Sequence, residues 1–179
     1  MRSGLTILSL LLSAVLLSFL IGCFFNYFFP MKYREEIISI AQECEVDSAL
    51  IASVVNTESH FDEKALSNKG AIGLMQILPS TAQWIAMKNN IEFKEERLFE
   101  YDYNLKIGSY YLSYLIAYFG DVKLGVCAYN AGQGNVSSWI KNKEFSSDGK
   151  TLKNIPFRET KEYLNRVLKS YNYYKNRYK

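Results

Sequence analysis

The sequence has few of the residues that hold metals or form disulfide frameworks. Its 179 residues include one histidine, His60, and three cysteines, Cys23, Cys44 and Cys127. A metal site built on imidazole ligands is therefore not expected, and we expect no cofactor. A sparse, odd set of cysteines does not indicate a disulfide framework. We interpret Cys44 and Cys127 as buried free thiols, with pairing outside the cell as the alternative.

An excess of charge of one sign is also missing. Twenty-one Lys and Arg against 18 Asp and Glu give a formal net charge of +3, and no long basic run occurs. A nucleic-acid-binding protein is therefore not indicated. Strand patterns are weak throughout the sequence. Because hydrophobic residues make up 49% of the chain, a sizeable core can form, and we expect a mainly α fold.

One long hydrophobic run occurs at the N-terminus, where no residue from Gly4 to Met31 is charged. About 20 apolar residues suffice to cross a bilayer as a helix. We predict a transmembrane helix over about residues 5–29, an anchor over residues 1–31 and a second domain over residues 32–179. The run is longer than the apolar part of a signal peptide, which favours an uncleaved single-pass anchor. The segment before Cys23 resembles a lipobox, but the apolar residues after it do not suit a lipoprotein tether.

Helical patterns continue through the rest of the chain. The spacing of apolar residues and the positions of Pro and Gly predict helices over residues 33–44, 47–58, 79–90, 105–119, 122–129, 135–140 and 158–178. Loops are predicted over residues 60–76 and 142–154. Gly132 suits a left-handed cap at the end of the helix over 122–129.

The helix predicted over residues 47–58 carries a carboxylate on its apolar side. Asp47 is a good N-cap. Apolar residues then recur at helical spacing and lead to Glu58 near the helix end; they are Leu50, Ile51, Val54 and Val55. A buried carboxylate without a neighbouring cation is costly when ionised, so its pKa should rise. Such a group can act as a general acid near neutral pH. Alternatively, Glu58 reaches solvent or pairs with a distant Lys or Arg.

Four short motifs follow one another along the chain. They are the pair Glu58-Ser59, the segments GAIGLMQ (70–76) and AYNAG (128–132), and IPFRET (155–160) followed by Tyr163. In order and spacing these motifs resemble those of the soluble lytic transglycosylase family, lysozyme-like enzymes that cut peptidoglycan. The resemblance covers the chain from about Tyr33 to its end and omits the hydrophobic run.

The resemblance implies a mainly helical, lysozyme-like domain in which Glu58 is the catalytic acid. It also implies a substrate-binding role for five further residues, which are Ser67, Gln76, Tyr129, Asn130 and Glu159. Three of these residues have a structural alternative. Ser67 can cap a turn, Asn130 can accompany the turn at Gly132, and Glu159 can pair with a basic residue of its own helix.

The implied reaction is cleavage of the β-1,4 bond between N-acetylmuramic acid and N-acetylglucosamine without water, which leaves a 1,6-anhydromuramyl end. Such an enzyme is a lyase. A hydrolytic muramidase stays open, since Asp62, Glu63 or Asp102 could supply the second carboxylate of a hydrolase. Two further alternatives are a non-catalytic wall-binding module and a secretion-system component that opens the wall locally.

The implied substrate bears on localisation. Basic residues flank the hydrophobic run on both sides, so the positive-inside rule does not set its orientation. Because peptidoglycan lies outside the cytoplasmic membrane, we expect a bacterial single-pass membrane protein whose catalytic domain faces the wall. The expected partners are glycan strands and the cytoplasmic membrane, and we expect a monomer.

Overall fold

In a computed structural model of the protein, the backbone is described for residues 2–178 and the side chains for residues 10–178. Eight α-helices are found in this part: α1 (Arg2–Phe28), α2 (Arg34–Cys44), α3 (Ser48–Glu58), α4 (Pro79–Lys88), α5 (Tyr101–Phe119), α6 (Val122–Ala131), α7 (Gln133–Lys141) and α8 (Arg158–Tyr174). A short 3-10 helix spans Glu95–Phe99. Residues 2–178 contain no β-strand, and only isolated bridges join Leu66, Ile72 and Ile77. The mainly α class is confirmed.

The described chain divides into two compact units, one ending at Lys32 and the other beginning at Tyr33. The first unit is α1. Its segment Leu10–Phe28 is apolar and its side chains are exposed. At 19 residues it is about 28 Å long, close to the hydrocarbon thickness of a bilayer. Its length and composition therefore suffice to span a membrane, and its role as an anchor remains a prediction.

The second unit is built around α3. The Asp47 side chain accepts a hydrogen bond from the Ala49 N–H at 2.8 Å, so the predicted N-cap is confirmed. Every residue from Ala49 to Val55 is buried, because α2 and α8 both pack against this helix. A helix that is apolar on all sides lies inside a domain rather than at its surface. The last residue of this buried helix is Glu58.

Helix α5 begins four residues earlier than predicted, at Tyr101. Its first turn contains Asn104, a polar residue that is fully buried. The sequence pattern alone gave no reason to extend an apolar helix over this residue. In the structure, tertiary hydrogen bonds satisfy the Asn104 amide, so its burial carries no unpaired polar group.

The prediction of a left-handed cap at Gly132 was wrong in its geometry. Gly132 has φ 87° and ψ 145°, an extended conformation with positive φ that is open to glycine. Its N–H still closes α6 by donating to the Ala128 carbonyl at 2.8 Å. The chain therefore turns directly from α6 into α7, which begins at Gln133, two residues earlier than predicted.

Two thiols of the second unit are buried in the core. Cys44 and Cys127 are both free, as predicted. Burial raises the pKa of the Cys44 thiol to about 11 and that of Cys127 to about 12. Both thiols are therefore neutral at ordinary pH and act as small apolar side chains.

Candidate active site

A cavity of about 600 Å³ opens beside the end of α3. Its lining contains all six residues singled out from the sequence, which are Glu58, Ser67, Gln76, Tyr129, Asn130 and Glu159. They come from α3, the loop between α3 and α4, α6 and α8. The fold thus brings together residues that lie up to about a hundred positions apart, and their functional roles remain predictions.

Glu58 lines this cavity and is partly buried. Loss of hydration raises the pKa of its carboxyl from the usual 4.5 to about 7. The nearby charge of Glu159 raises this pKa further, whereas a hydrogen bond from Tyr163 and the positive charge of Arg166 lower it. The direction predicted from the apolar helix face is confirmed, and the Glu58 carboxyl exchanges its proton near neutral pH rather than near pH 4.5.

Tyr163 is the direct partner of Glu58. Its hydroxyl donates a hydrogen bond to Glu58 Oε1 at 2.7 Å. Tyr163 is 2% exposed, because α8 packs along α3 and buries this side chain. Tyr163 belongs to the fourth sequence motif, but no role for it was predicted from the sequence. Arg166, on the next turn of α8, is a cation near Glu58, and its positive charge lowers the pKa of the Glu58 carboxyl.

The hydroxyl of Tyr129 has a different partner. It donates to the Met75 carbonyl at 2.8 Å and so connects α6 to the loop that ends in Gln76. The Tyr129 hydroxyl therefore does not donate to the Glu58 carboxyl. The Tyr129 ring still lines the cavity, 5.2 Å from the ring of Tyr111. Its contribution is to hold the cavity wall in place.

The side chain of Asn104, on α5, binds the backbone of the loop that ends in Gln76. Its Nδ2 donates to the carbonyls of Ile72 at 2.9 Å and Leu98 at 2.7 Å, and its Oδ1 accepts from the Met75 N–H at 2.8 Å. Gly73 has φ +75°, and a Cβ there would overlap Asn104 and the Leu98 carbonyl. Asn104 was not among the residues singled out from the sequence, because it precedes the helix predicted over residues 105–119 and no local pattern marks it as buried.

Within the loop, Gln76 and Ser67 make internal hydrogen bonds. Gln76 Nε2 donates to the carbonyls of Ala65 and Gly73 at 3.1 and 3.0 Å. Its backbone has φ 48°, a left-handed conformation that is costly for a residue other than glycine. Ser67 Oγ accepts the Ala71 N–H at 2.9 Å, so this serine caps a turn as its structural alternative foresaw. Both side chains hold the loop in the shape that lines the cavity.

The motifs containing Asn130 and Glu159 contact each other. Asn130 Oδ1 accepts a hydrogen bond from the Thr160 hydroxyl at 2.7 Å, and Asn130 Nδ2 lies 3.5 Å from Glu159 Oε1. The basic residue beside Glu159, Arg158, pairs with Glu162 instead. The Glu159 carboxylate thus remains at the rim of the cavity, where its charge acts on Glu58.

The other carboxylates considered from the sequence lie outside this cavity. Asp62 Oδ1 accepts the Lys64 N–H at 2.9 Å, and Glu63 accepts the hydroxyl of Tyr33 at 3.3 Å. Asp102 lines a separate cavity between α2 and α5. Among the described residues, Glu58 and Glu159 are therefore the two carboxylates that line the cavity. Those residues also include no cluster of three or more His, Cys, Asp or Glu side chains arranged to hold a metal ion.

The second unit is thus a small helical domain in which a carboxyl of raised pKa, that of Glu58, lines an open cavity. The model of the Transglycosylase SLT domain family matches residues 35–152. The chain belongs to this family. The matched residues include the loop over 67–76 and the AYNAG segment described above.

The proteins to which this chain is similar include some named as soluble and some named as membrane-bound. The chain is 32% identical over 152 residues to the soluble lytic murein transglycosylase of Salmonella typhimurium, which covers 83% of this chain and 24% of the relative. It is 30% identical over 112 residues to membrane-bound lytic murein transglycosylase F of Desulfosudis oleivorans, covering 59% of this chain and 23% of the relative.

Among solved structures, an inactive glutamate-to-glutamine mutant of the lytic transglycosylase Slt from Pseudomonas aeruginosa superposes with a TM-score of 0.77. Sequence identity is 32%, over 85% of this chain and 25% of that one. The lysozyme-like character expected of the helical domain is confirmed at the level of this fold. The chain spans about a quarter of the length of each of these three proteins.

Proposed function

We propose that this protein is a peptidoglycan lytic transglycosylase that cleaves the β-1,4 bond between N-acetylmuramic acid and N-acetylglucosamine. The observation that carries the proposal is the Glu58 carboxyl, which has a pKa of about 7 and a hydrogen bond from Tyr163 inside the cavity. The names of the relatives, which are lytic murein transglycosylases, support the substrate class.

In the first step, protonated Glu58 donates its proton to the glycosidic oxygen. The bond between C1 of the muramyl sugar and this oxygen breaks, and positive charge develops at C1. The carboxylate formed at Glu58 keeps the hydrogen bond from Tyr163 and faces the positive charge of Arg166. Both interactions stabilise negative charge as it appears, which is the condition for lowering the barrier.

In the second step, Glu58 acts as the base. It removes the proton from the C6 hydroxyl of the same muramyl sugar, and O6 bonds to C1. The product carries a 1,6-anhydro ring, no water is consumed, and Glu58 returns to its protonated form. A carboxyl whose pKa lies near the working pH suits both halves of this cycle, because it releases and recovers a proton at similar cost.

Replacing Glu58 by Gln tests the proposal. Glu58→Gln should abolish release of soluble muropeptides from purified peptidoglycan, while Glu63→Gln, which changes a carboxyl outside the cavity, should cleave like wild type. Mass spectrometry of wild-type products should show muramyl ends lighter by about 18 Da than hydrolysed ends, because no water is added. Wild-type turnover by Glu58→Gln would refute the assignment of the acid.

Hydrolysis is the second candidate, because Glu159 lines the same cavity and raises the pKa of Glu58. Glu159 would then act as the second carboxylate of a muramidase. Hydrated muramyl ends that are lost in Glu159→Gln would favour this reaction over the lyase. A non-catalytic wall-binding module would show no cleavage with the wild-type chain in a zymogram.

We also propose that α1 is a single-pass anchor that leaves the catalytic domain on the wall side of the cytoplasmic membrane. The apolar segment Leu10–Phe28 and relatives named as membrane-bound support an association with the membrane. External protease added to cells whose wall has been removed should digest the domain beyond Tyr33. Protection of that domain in intact wall-free cells, with digestion after lysis, would contradict the orientation.

A further inference from the structure

Aromatic side chains continue beyond the cavity along one face of α5 and the adjacent edge of α4. Tyr111 lines the cavity. Tyr114 and Tyr118 follow at the next two turns of the same helix, with ring centroids 6.1 Å apart. On α4, Thr81 lines the cavity, and Trp84 is one turn further along, with its ring 4.8 Å from that of Tyr114. Two neighbouring helices thus carry aromatic rings away from the site in the same direction.

These outer rings are not core residues. Trp84 is 37% exposed and Tyr118 is 53% exposed, whereas the domain's other tryptophan, Trp139, is 5% exposed. Aromatic side chains clustered at a surface cost free energy through contact with water unless another surface covers them. The contrast between the two tryptophans therefore separates a structural ring from one that is available for binding.

Polar and charged groups border the same surface. Lys88 Nζ lies 5.1 Å from the centroid of the Tyr114 ring and 5.9 Å from that of Trp84. At the far end, Ser137 and Gln133 of α7 lie beside the Tyr118 hydroxyl. A surface with apolar rings in the middle and hydrogen-bonding groups at its edges matches a sugar, whose ring faces are apolar and whose hydroxyls point outward.

We propose that Trp84, Tyr114 and Tyr118, called here the aromatic strip, bind the glycan strand where it leaves the cavity. This inference rests on the proposed function, since the occupant is the same strand that Glu58 would cut. The strip is continuous with the cavity through Tyr111 and Thr81. From Tyr111 to Tyr118 the helix rises by about 10 Å, which is comparable to the length of a disaccharide.

The position of Lys88 adds a preference within this class of ligand. Its ammonium group lies over the rings of Tyr114 and Trp84. Each muramyl unit of a peptidoglycan strand carries a free lactyl carboxylate or, where that group is amide-linked to a peptide stem, the carboxylates of the stem. A strand lying on the rings would bring such an anion next to a cation. We therefore expect muramyl-containing strands to bind more tightly than neutral chitin oligosaccharides of equal length.

Removing a ring of the aromatic strip should weaken binding more for long glycan strands than for short ones. In the full-length chain, solubilised in detergent and carrying Glu58→Gln to prevent cleavage, the added variant Trp84→Ala should weaken binding of long glycan strands about tenfold. Disaccharides, which we expect to bind in the cavity without reaching the strip, should lose far less affinity. Met87→Ala is the matched control, because Met87 is on the same helix, is 72% exposed and is not part of the strip. Calorimetry gives both affinities.

Tryptophan fluorescence gives a readout independent of affinity. The chain has two tryptophans, so Trp139→Phe leaves Trp84 as the only one, and excitation beyond the tyrosine absorption band reports on it selectively. Long strands should shift its emission to shorter wavelength, as expected when a sugar displaces water from the ring. A spectrum unchanged at saturating strand, or equal losses for short and long ligands in Trp84→Ala, would overturn the inference.

The two proposals can fail separately. Cleavage of peptidoglycan by wild type with no effect of Trp84→Ala at any strand length would leave the proposed function intact and refute the aromatic strip. Binding of long strands through Trp84 without any cleavage by wild type would refute the lyase and keep the strip. Concentration-dependent self-association that is lost in Trp84→Ala, without glycan binding, would refute the strip as a glycan site and identify it as a contact between copies of the chain.

Discussion

Removing the Tyr163 hydroxyl should separate the hydrogen bond that this residue donates to Glu58 from the packing of its ring. In the variant Tyr163→Phe the ring keeps its packing, and the hydrogen bond to Glu58 Oε1 is lost. That bond stabilises the ionised carboxylate and lowers the pKa of Glu58 against the larger effect of desolvation. Its loss must therefore raise the pKa of Glu58 above the present value of about 7. The protonated, proton-donating form then persists to higher pH.

The size of the change follows from the energy of the bond. A hydrogen bond to a charged group contributes about 1.5–3 kcal/mol, and we take the lower end because Glu58 is partly exposed and water can replace part of the interaction. One pH unit corresponds to about 1.4 kcal/mol, so the alkaline limb of the pH–rate profile should move up by about one pH unit. The same loss destabilises the carboxylate that forms in the transition state and should lower the maximal rate about tenfold.

The assay is the rate of muropeptide release from purified peptidoglycan across the pH range, for wild type and Tyr163→Phe. Tyr171→Phe provides the matched control. Tyr171 is on the same helix, and its hydroxyl donates to Asp47 at 2.8 Å, away from the cavity. A lower maximal rate with an unmoved or downward-shifted alkaline limb would refute the assigned hydrogen bond, because a general loss of structure does not raise the pKa of one group.

Two predictions concern stability. Glu58 binds its proton more tightly when folded, at a pKa of about 7 against the usual 4.5, so wild-type stability falls as pH rises between these values. Gln does not titrate. The free energy of unfolding of Glu58→Gln should therefore rise relative to that of wild type by up to about 3 kcal/mol between about pH 4 and pH 8. A difference in urea unfolding that does not change with pH would contradict this. Asn104→Ala should cost about 3 kcal/mol in the same assay, because it leaves two buried carbonyls and one N–H without their partner; a loss below about 1 kcal/mol would contradict the assigned contacts.

Local features of the sequence were sufficient for most of the helical framework. The apolar spacing and the Asp47 cap predict α3 to within one residue, because an N-cap acts through hydrogen bonds to its immediate neighbours. The same spacing places Glu58 at the end of a buried helix, and desolvation follows from that position. Helix ends were less accurate at α5 and α8, where tertiary contacts rather than local preferences decide which residues continue the helix.

The order and spacing of the four motifs identified the family and gathered the residues that line the cavity. A motif predicts which side chains meet, but not which atoms pair. Tyr129 is partly buried and Tyr163 fully buried, both lie near Glu58, and the two look equivalent in sequence. Tyr163 reaches the carboxyl, and Tyr129 reaches the Met75 carbonyl.

The sequence by itself therefore determined the helices, the acid at the end of α3 and the membership of the family, since these depend on short-range periodicity and on motifs readable in one dimension. The tertiary structure alone decided which hydroxyl and which cation act on Glu58, because α8 joins α3 across 105 residues and the direction of a hydrogen bond is set by packing. It also brought Trp84 against Tyr114 at the surface, a contact between two helices that no local pattern encodes.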